Sequence, residues 1–170
     1  MNYHYKFGNN YYNYYGNYGI KSTKYRILAP EQSQDIQPGL EYPMTPRPIF
    51  DNPNYKGSNK LKDKVAIITG GDSGLGRACA IAFIKEGAKV VIPYYNEHLD
   101  ASETEEYISK LGGESLFLKG DISKKEFCQM IVDKTIEKFG KIDILVNNAG
   151  VQYQADSLEE ITDEQLDWTM

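Results

Sequence analysis

The stretch Val65-Ala66-Ile67-Ile68-Thr69-Gly70-Gly71-Asp72-Ser73-Gly74-Leu75-Gly76 decides the fold of this chain. Its first four residues form a continuous apolar run, which is typical of a strand buried on both faces of a parallel sheet. The glycines that follow predict a tight turn out of this strand and directly into a helix. Such a turn leaves backbone N–H groups without partners and lets an anion approach closely, so the stretch predicts a phosphate-binding loop.

Strands and helices alternate regularly after this point. We predict strands at 65–69, at 90–92 with Pro93 closing it, at 115–119 and at 142–147, and helices at 75–86 and 100–111, from 123–126 up to Gly140, and from Thr162 onward. Alternation of apolar strands with helices favours an α/β fold with a parallel sheet covered on both faces. We therefore expect the N-terminal half of a Rossmann (doubly wound) fold, with the glycine turn at the carboxyl edge of the sheet.

Local signals predict where the helices begin and which faces they bury. Capping boxes are predicted at 100–103 and 123–126, and residues 162–165 predict a further helix start. The predicted apolar faces are Leu75, Cys79, Ala82 and Phe83 in the first helix, and Cys128, Ile131, Val132, Thr135, Ile136 and Phe139 in the third. Both cysteines lie on these faces, so we expect buried free thiols and a cytoplasmic location.

Two segments precede the alternating region. Residues 1–25 are rich in tyrosine, asparagine and glycine, and they predict a disordered tail that cannot form a packed core. Self-association of this tail is the functional alternative. Residues 26–60 contain six of the seven prolines and predict an extended arm. Its apolar residues can anchor it on the globular surface, on a neighbouring subunit, or not at all. Residues 61–170 form the predicted nucleotide-binding domain.

Charge and composition exclude several classes of partner. The net charge is −5 and no basic cluster occurs, which argues against nucleic acid and anionic membranes. No apolar stretch is long enough to span a bilayer. The two histidines lie in no metal-ligand spacing, so no metal site is predicted.

Two motifs together carry a family resemblance. The pattern Thr69-Gly-x-x-x-Gly-x-Gly76, with Asn147-Asn148-Ala149-Gly150 after the fourth strand, resembles the short-chain dehydrogenase/reductase family. The arm sequences 37–41 and 46–48, with 71–74 and 96–98, further resemble the bacterial general-stress, glucose-dehydrogenase-like subgroup. The resemblance implies hydride transfer between a nicotinamide cofactor and a small alcohol or carbonyl substrate. It also implies a homotetramer, which we do not expect this chain to assemble properly.

The resemblance also implies a cofactor site. Its candidate residues are Gly70, Ser73, Gly74, Leu75 and Gly76 at the pyrophosphate, Tyr94 at the end of the second strand, Asp121 and Ile122 at the adenine, and Asn147, Ala149 and Gly150 beside the ribose and nicotinamide. Two simpler roles stay open, a turn residue for Asp121 and a strand-to-loop turn for the two asparagines. The strand-end sequence Tyr94-Tyr95-Asn96 is neither acidic nor basic, so the choice between NAD and NADP stays undecided.

The catalytic residues of the family are not found in this sequence. None of the fourteen tyrosines has a lysine four residues later, and the expected Asn, Ser, Tyr and Lys would fall beyond Met170. In that pair, the lysine ammonium lowers the pKa of the phenol for proton exchange with the substrate. We expect no alcohol-dependent reduction of NAD(P) by this chain alone. The alternative is a non-catalytic dinucleotide-binding or self-assembling interaction protein. We also expect the strand at 142–147 to be an open edge that promotes aggregation.

Overall fold

The computed structural model describes residues 4–7, 10–13, 32–34, 36–153, 155 and 157–169. A four-stranded parallel sheet forms its centre. Its strands are β3 (Val65–Ile68), β4 (Lys89–Tyr94), β5 (Ser115–Lys119) and β6 (Ile144–Val146), in the order β5-β4-β3-β6. The register pairs Ala66 with Val90 on one side of β3 and with Ile144 on the other. β4 and β5 are added on one side of β3, and β6 is then added on the other side. The topological switch point of the sheet therefore lies between β3 and β6.

Four helices accompany the sheet. They are α1 (Gly74–Lys85), α2 (His98–Lys110), α3 (Lys125–Phe139) and α4 (Asp163–Thr169), with a short 3-10 turn at Leu158–Glu160. One core cluster packs β3 and β4 against α1 and α2, with Ile68, Ile81, Ile92 and Ile108 buried. The opposite face of the sheet packs on α3 through Ile131. The sheet is thus covered on both faces, and the predicted half of a doubly wound α/β fold is confirmed.

The predicted tail contains two short strands. β1 (His4–Phe7) and β2 (Asn10–Asn13) pair antiparallel, with His4 opposite Asn13. The prediction of a tail without regular structure is therefore wrong for these eight residues. A composition rich in tyrosine, asparagine and glycine does not exclude such a local strand pair. The rest of residues 1–25, and with it the question of self-association, lies outside the described residues.

The arm packs against the domain from Glu41 onward. Phe50 packs against the core cluster of α1 and α2, and its ring meets that of Tyr107 edge-on at 5.0 Å between centroids. The side chain of Tyr55 donates a hydrogen bond to Glu86 at the end of α1. Ile36, in contrast, is 48% exposed. Of the three possibilities for the arm, anchoring on the globular surface is the one that this segment adopts.

The predicted apolar face of α1 is only partly correct. Cys79 and Phe83 pack against the core cluster. Leu75 is 85% exposed and Ala82 is exposed, whereas Arg77, Ala80, Ile81 and Ile84 are buried. Arg77 was not among the residues predicted for the buried face. The arm supplies the carboxylate of Glu41 to this guanidinium, and the helix can therefore turn its Arg77 side inward.

The predicted face of α3 is only partly buried. Ile131 and Thr135 are buried, while Cys128, Val132 and Ile136 are exposed. The hydroxyl of Thr135 donates to the carbonyl of Ile131 at 2.6 Å, so its burial leaves no unmet donor. The prediction of two buried thiols is also wrong for Cys128, although both cysteines are free. The sheet covers only one side of α3, so the remaining part of the predicted apolar face stays exposed.

Two of the predicted helix starts are wrong. α2 begins at His98, and the carboxylate of Asp100 inside it accepts the backbone N–H of Glu41 at 2.8 Å. α3 begins at Lys125, and Ser123 donates its N–H to Asp121 instead of capping a helix. The start at Thr162 is confirmed, because Thr162 and Gln165 exchange side-chain hydrogen bonds with each other's backbone N–H.

Strand limits differ slightly from prediction. Pro93 does not close β4, which runs on to Tyr94 with Pro93 opposite Leu118 in β5. The carbonyl of Pro93 accepts the N–H of Gly70 at 2.9 Å, which ties the strand end to the glycine turn. β6 is shorter than predicted and lies at the edge of the sheet, with Leu145 58% exposed. Among the described residues, no helix combines the length and apolar character that crossing a bilayer requires.

Candidate dinucleotide site

The glycine turn between β3 and α1 adopts the conformation that its sequence predicts. Gly70 and Gly74 have φ angles of +63° and +52°, in the left-handed region that favours glycine. A Cβ on Gly76 would lie 2.1 Å from the carbonyl oxygen of Gly70. Gly76 therefore permits the first turn of α1 to pack directly on the end of β3. At Gly74 no atom lies within 4 Å of an added Cβ, so this side of the turn is open.

The first amides of α1 form the donor set of the turn. Residues at a helix start have no intrahelical acceptor for their N–H groups. The N–H of Gly74 donates to Oε2 of Glu41 at 2.5 Å. Leu75 and Gly76 follow it within this first turn, so their amides also lack acceptors inside the helix. The positive end of the helix dipole adds to the preference of this corner for an anion.

Asn148 fastens the loop after β6 to the glycine turn. Its Nδ2 donates to the carbonyl oxygens of Thr69 and Gly70 at 2.9 and 3.0 Å. The backbone N–H groups of Asn148 and Ala149 both donate to Oγ1 of Thr69, each at 3.0 Å. Two loops at the switch point are thus held in one geometry. Thr69 and Asn148 lie within the two sequence motifs, but neither was predicted as a site residue.

A cleft of about 590 Å³ opens at the carboxyl ends of the strands. Nine of the eleven candidate residues line it: Gly70, Ser73, Gly74, Leu75, Tyr94, Asp121, Ile122, Ala149 and Gly150. Gly76 lies beneath the turn and contributes close packing instead. Asn147 is exposed and does not line the cleft, and its neighbour Asn148 takes that position.

Sequence reasoning missed several walls of the cleft. The additional lining residues include Pro38 and Gly39 from the arm, Asp72 and Glu97 beside the glycine turn and β4, and Trp168 and Thr169 from α4. Trp168 is 47% exposed. The arm and α4 are far from the glycine motif in sequence, so no local pattern could place them here.

Two aspartates at the cleft differ in their electrostatics. Burial raises the pKa of Asp72 to about 6, and the nearby carboxylates of Glu97 and Asp100 add to this effect. The backbone N–H of Ser123, 2.9 Å from Oδ1 of Asp121, lowers the pKa of that exposed carboxyl. The turn role for Asp121 is therefore present, and it is compatible with a position in the cleft.

A buried ion-pair network supports the glycine turn from below. Arg77 is fully buried, and its guanidinium donates to Oε1 of Glu41 at 2.7 Å and to the carbonyl oxygens of Asp72 and Asp100, both at 2.9 Å. Arg47 of the arm lies 3.6 Å from the carboxylate of Glu41. The arm thus joins the start of α1 through buried, charge-assisted hydrogen bonds.

Comparison with known proteins identifies the family of this domain. The family model described as short chain dehydrogenase matches residues 64–170, which include the glycine turn and the Asn148 loop. The chain belongs to the short-chain dehydrogenase family. The resemblance inferred from the two motifs is therefore confirmed.

Two curated relatives illustrate the subgroup. General stress protein 39 of Bacillus subtilis (strain 168) is 49% identical over 144 residues, covering 85% of this chain and 50% of that protein. Glucose and ribitol dehydrogenase of Daucus carota is 41% identical over 144 residues, covering 81% of this chain and 50% of that protein. The chain spans about half the length of these short-chain dehydrogenase relatives.

Two solved structures of similar proteins contain nicotinamide cofactors. The 3-ketoacyl-(acyl-carrier-protein) reductase of Brucella melitensis, complexed with NADH, has a TM-score of 0.58 and 39% identity, covering 64% of this chain and 43% of that one. A short chain dehydrogenase of Burkholderia cenocepacia J2315 in complex with NADP has a TM-score of 0.60 and 35% identity, covering 65% of this chain and 44% of that one. Both share the Rossmann arrangement of the domain described above.

Proposed function

We propose that this chain is the dinucleotide-binding half of an NAD(P)-dependent oxidoreductase that acts on an alcohol or carbonyl substrate. The observation that carries the proposal is the cleft at the switch point, where the glycine turn presents open space at Gly74 and Leu75 lines the cleft beside it. A pyrophosphate fits such a corner by charge and by donor geometry. Cofactor-bound relatives and the name of the carrot dehydrogenase support the reaction class.

Each part of the cleft has a proposed role in this binding. The turn residues Ser73, Gly74 and Leu75 hold the pyrophosphate, with Gly70 and Gly76 shaping the turn. Asp121 and Ile122 flank the adenine, and Tyr94 lies beside the adenosine ribose. Ala149 and Gly150 border the path toward the nicotinamide, which Asn147 and Asn148 support from the end of β6.

The reaction itself needs residues that this chain does not contain. The nicotinamide, when bound, supplies or accepts the hydride. The chain's own residues bind and orient the dinucleotide, and α4 with Trp168 shields one side of it from water. General acid–base help of about 10²–10⁴-fold would come from a tyrosine–lysine pair, which this sequence lacks. A cytoplasmic location stays a prediction of the sequence.

A matched pair of glycine substitutions tests dinucleotide binding. Gly74 and Gly112 both have positive φ angles, and an added Cβ at either meets no atom within 4 Å. Alanine at either position therefore costs a similar backbone strain of about 1 kcal/mol. Only Gly74 lines the cleft, while Gly112 follows α2.

Binding of NADH is measured by quenching of the fluorescence of Trp168, the one tryptophan of the chain. We expect saturable binding, weakened at least fivefold by Gly74→Ala and left unchanged by Gly112→Ala. Absence of binding by the folded parent chain, or equal weakening by both variants, would contradict the proposed site.

A further inference from the structure

The side of the cleft next to β4 is acidic. Tyr94, Tyr95 and Glu97 line it from the carboxyl end of β4 onward, and Asp72 lines it from the glycine turn. In Rossmann folds the residue about 20 positions after the glycine turn meets the 2′ position of the adenosine ribose. If the chain binds a dinucleotide as proposed above, this acidic side therefore faces that ribose.

Both carboxylates are buried, and one of them has an oxygen atom without a hydrogen-bond partner. Asp72 is 2% exposed and Glu97 is 5% exposed. Oε2 of Glu97 accepts the N–H of Asn96 at 2.9 Å, which fixes its side chain at the start of α2. Oδ2 of Asp72 has no hydrogen-bond partner among the described residues. A buried acceptor without a donor at the wall of a cleft points to a ligand that brings a donor, such as a ribose hydroxyl.

No basic side chain balances this charge at the cleft. The described residues that line it include three carboxylates, those of Asp72, Glu97 and Asp121, and no lysine, arginine or histidine. Arg77 is the cation nearest in sequence to the glycine turn. Its guanidinium is fully buried and donates to Glu41, Asp72 and Asp100, and it does not line the cleft.

We propose that Asp72 and Glu97 make this chain select NAD(H) over NADP(H). The 2′-hydroxyl of NAD(H) can donate a hydrogen bond to a carboxylate. The 2′-phosphate of NADP(H) brings negative charge instead and would be repelled by two buried carboxylates in a medium of low dielectric constant. The residues at the end of β4, Tyr94-Tyr95-Asn96, are uncharged. The selection therefore comes from Asp72 in the glycine turn and from Glu97 at the N-cap of α2.

The test compares the dissociation constants of NADH and NADPH for the 170-residue chain, read from quenching of Trp168. Measurements are made at pH 8, where the carboxyl of Asp72, with its pKa of about 6, is ionised. We expect NADH to bind at least tenfold more tightly than NADPH. The double variant Asp72→Asn with Glu97→Gln is expected to reduce this ratio at least threefold. The control Glu126→Gln, which changes an exposed carboxylate at the start of α3, is expected to leave the ratio as it is.

The outcomes separate this inference from the proposed function. Equal affinities for the two cofactors, or tighter binding of NADPH, overturn the inference and leave dinucleotide binding standing. Binding of neither cofactor to the folded chain overturns both.

A salt titration of the parent chain provides a second readout that needs no variant. Salt screens the repulsion, and the Debye length falls severalfold between about 0.05 and about 0.5 M NaCl. The preference for NADH should therefore shrink over this range. A preference that salt leaves unchanged contradicts the electrostatic origin.

Discussion

Replacing Arg77 with methionine is expected to destabilise the domain strongly, although methionine suits a buried helix position. The substitution removes hydrogen bonds of 2.7 Å to Glu41 and 2.9 Å to each of two carbonyl oxygens. It also leaves the carboxylates of Glu41 and Asp100, which are 4% and 0% exposed, without their main cation. Breaking a buried pair in this way costs about 3–5 kcal/mol. A domain of this size has about 5–15 kcal/mol of total stability, so the loss is a large fraction.

Urea unfolding followed by circular dichroism measures this effect. With a slope of about 1–2 kcal/mol per molar urea, the midpoint should fall by roughly 1.5 M or more. The double variant Arg77→Met with Glu41→Gln removes both charges. It should therefore be less destabilised than the sum of the two single changes, by about 1–3 kcal/mol. Lys134→Met breaks an exposed pair with Glu137 and serves as control, with an expected loss below about 0.5 kcal/mol.

Arg47 is a second cation close to the carboxylates of Glu41 and Asp100. Its guanidinium lies 3.6 Å from Glu41 and 3.9 Å from Asp100, and it is partly exposed. If Arg77→Met costs no more than the Lys134→Met control, or if the double variant is strictly additive, Arg47 alone neutralises the carboxylates and the network argument fails. Should Arg77→Met not fold at all, Arg77→Lys keeps the charge and should recover a cooperative transition.

Two further predictions concern pH and association. Burial raises the pKa of Asp72 from 3.8 to about 6. The folded chain therefore holds a proton that the unfolded chain has lost, and stability falls by up to about 3 kcal/mol as the pH rises from about 4 to about 6. Asp72→Asn should remove this fall in urea midpoints measured across that range, and an unchanged profile would refute the assignment. At the open edge, Leu145→Lys should reduce self-association in sedimentation velocity, because a charge on an edge strand opposes pairing between chains. Lysine at Leu158, which is 84% exposed but lies in the 3-10 turn, should have a smaller effect.

The sheet and the glycine turn could be predicted because their signals are local. The apolar run 65–68 and the glycine spacing identified β3, α1 and the corner between them without knowledge of any contact. The start of α4 was predicted for the same reason, since Thr162 and Gln165 bond only to each other.

Several of the failed predictions involve partners distant in sequence. Asp100 has the spacing of a capping residue, yet its carboxylate accepts the N–H of Glu41, 59 residues earlier. The buried face of α1 was misjudged because Arg77 is neutralised by the same distant residue. Pro38 and Trp168 reach the cleft from opposite ends of the described chain. The sequence alone therefore predicted the position of the glycine turn, but it did not predict the charged groups beside the turn or the distant residues that line the cleft.

The carboxylate of Glu41 has a consequence for where this folding unit begins. The family signature starts at Lys64, and a shortened chain cut there would keep every strand of the parallel sheet. In this shortened chain Arg77 would stay buried without the carboxylate of Glu41 that accepts its hydrogen bond. The N–H of Gly74 would also lose Glu41 as its acceptor. In this chain, the arm segment that carries Glu41 is therefore an interior part of the domain, and the two should be expressed together.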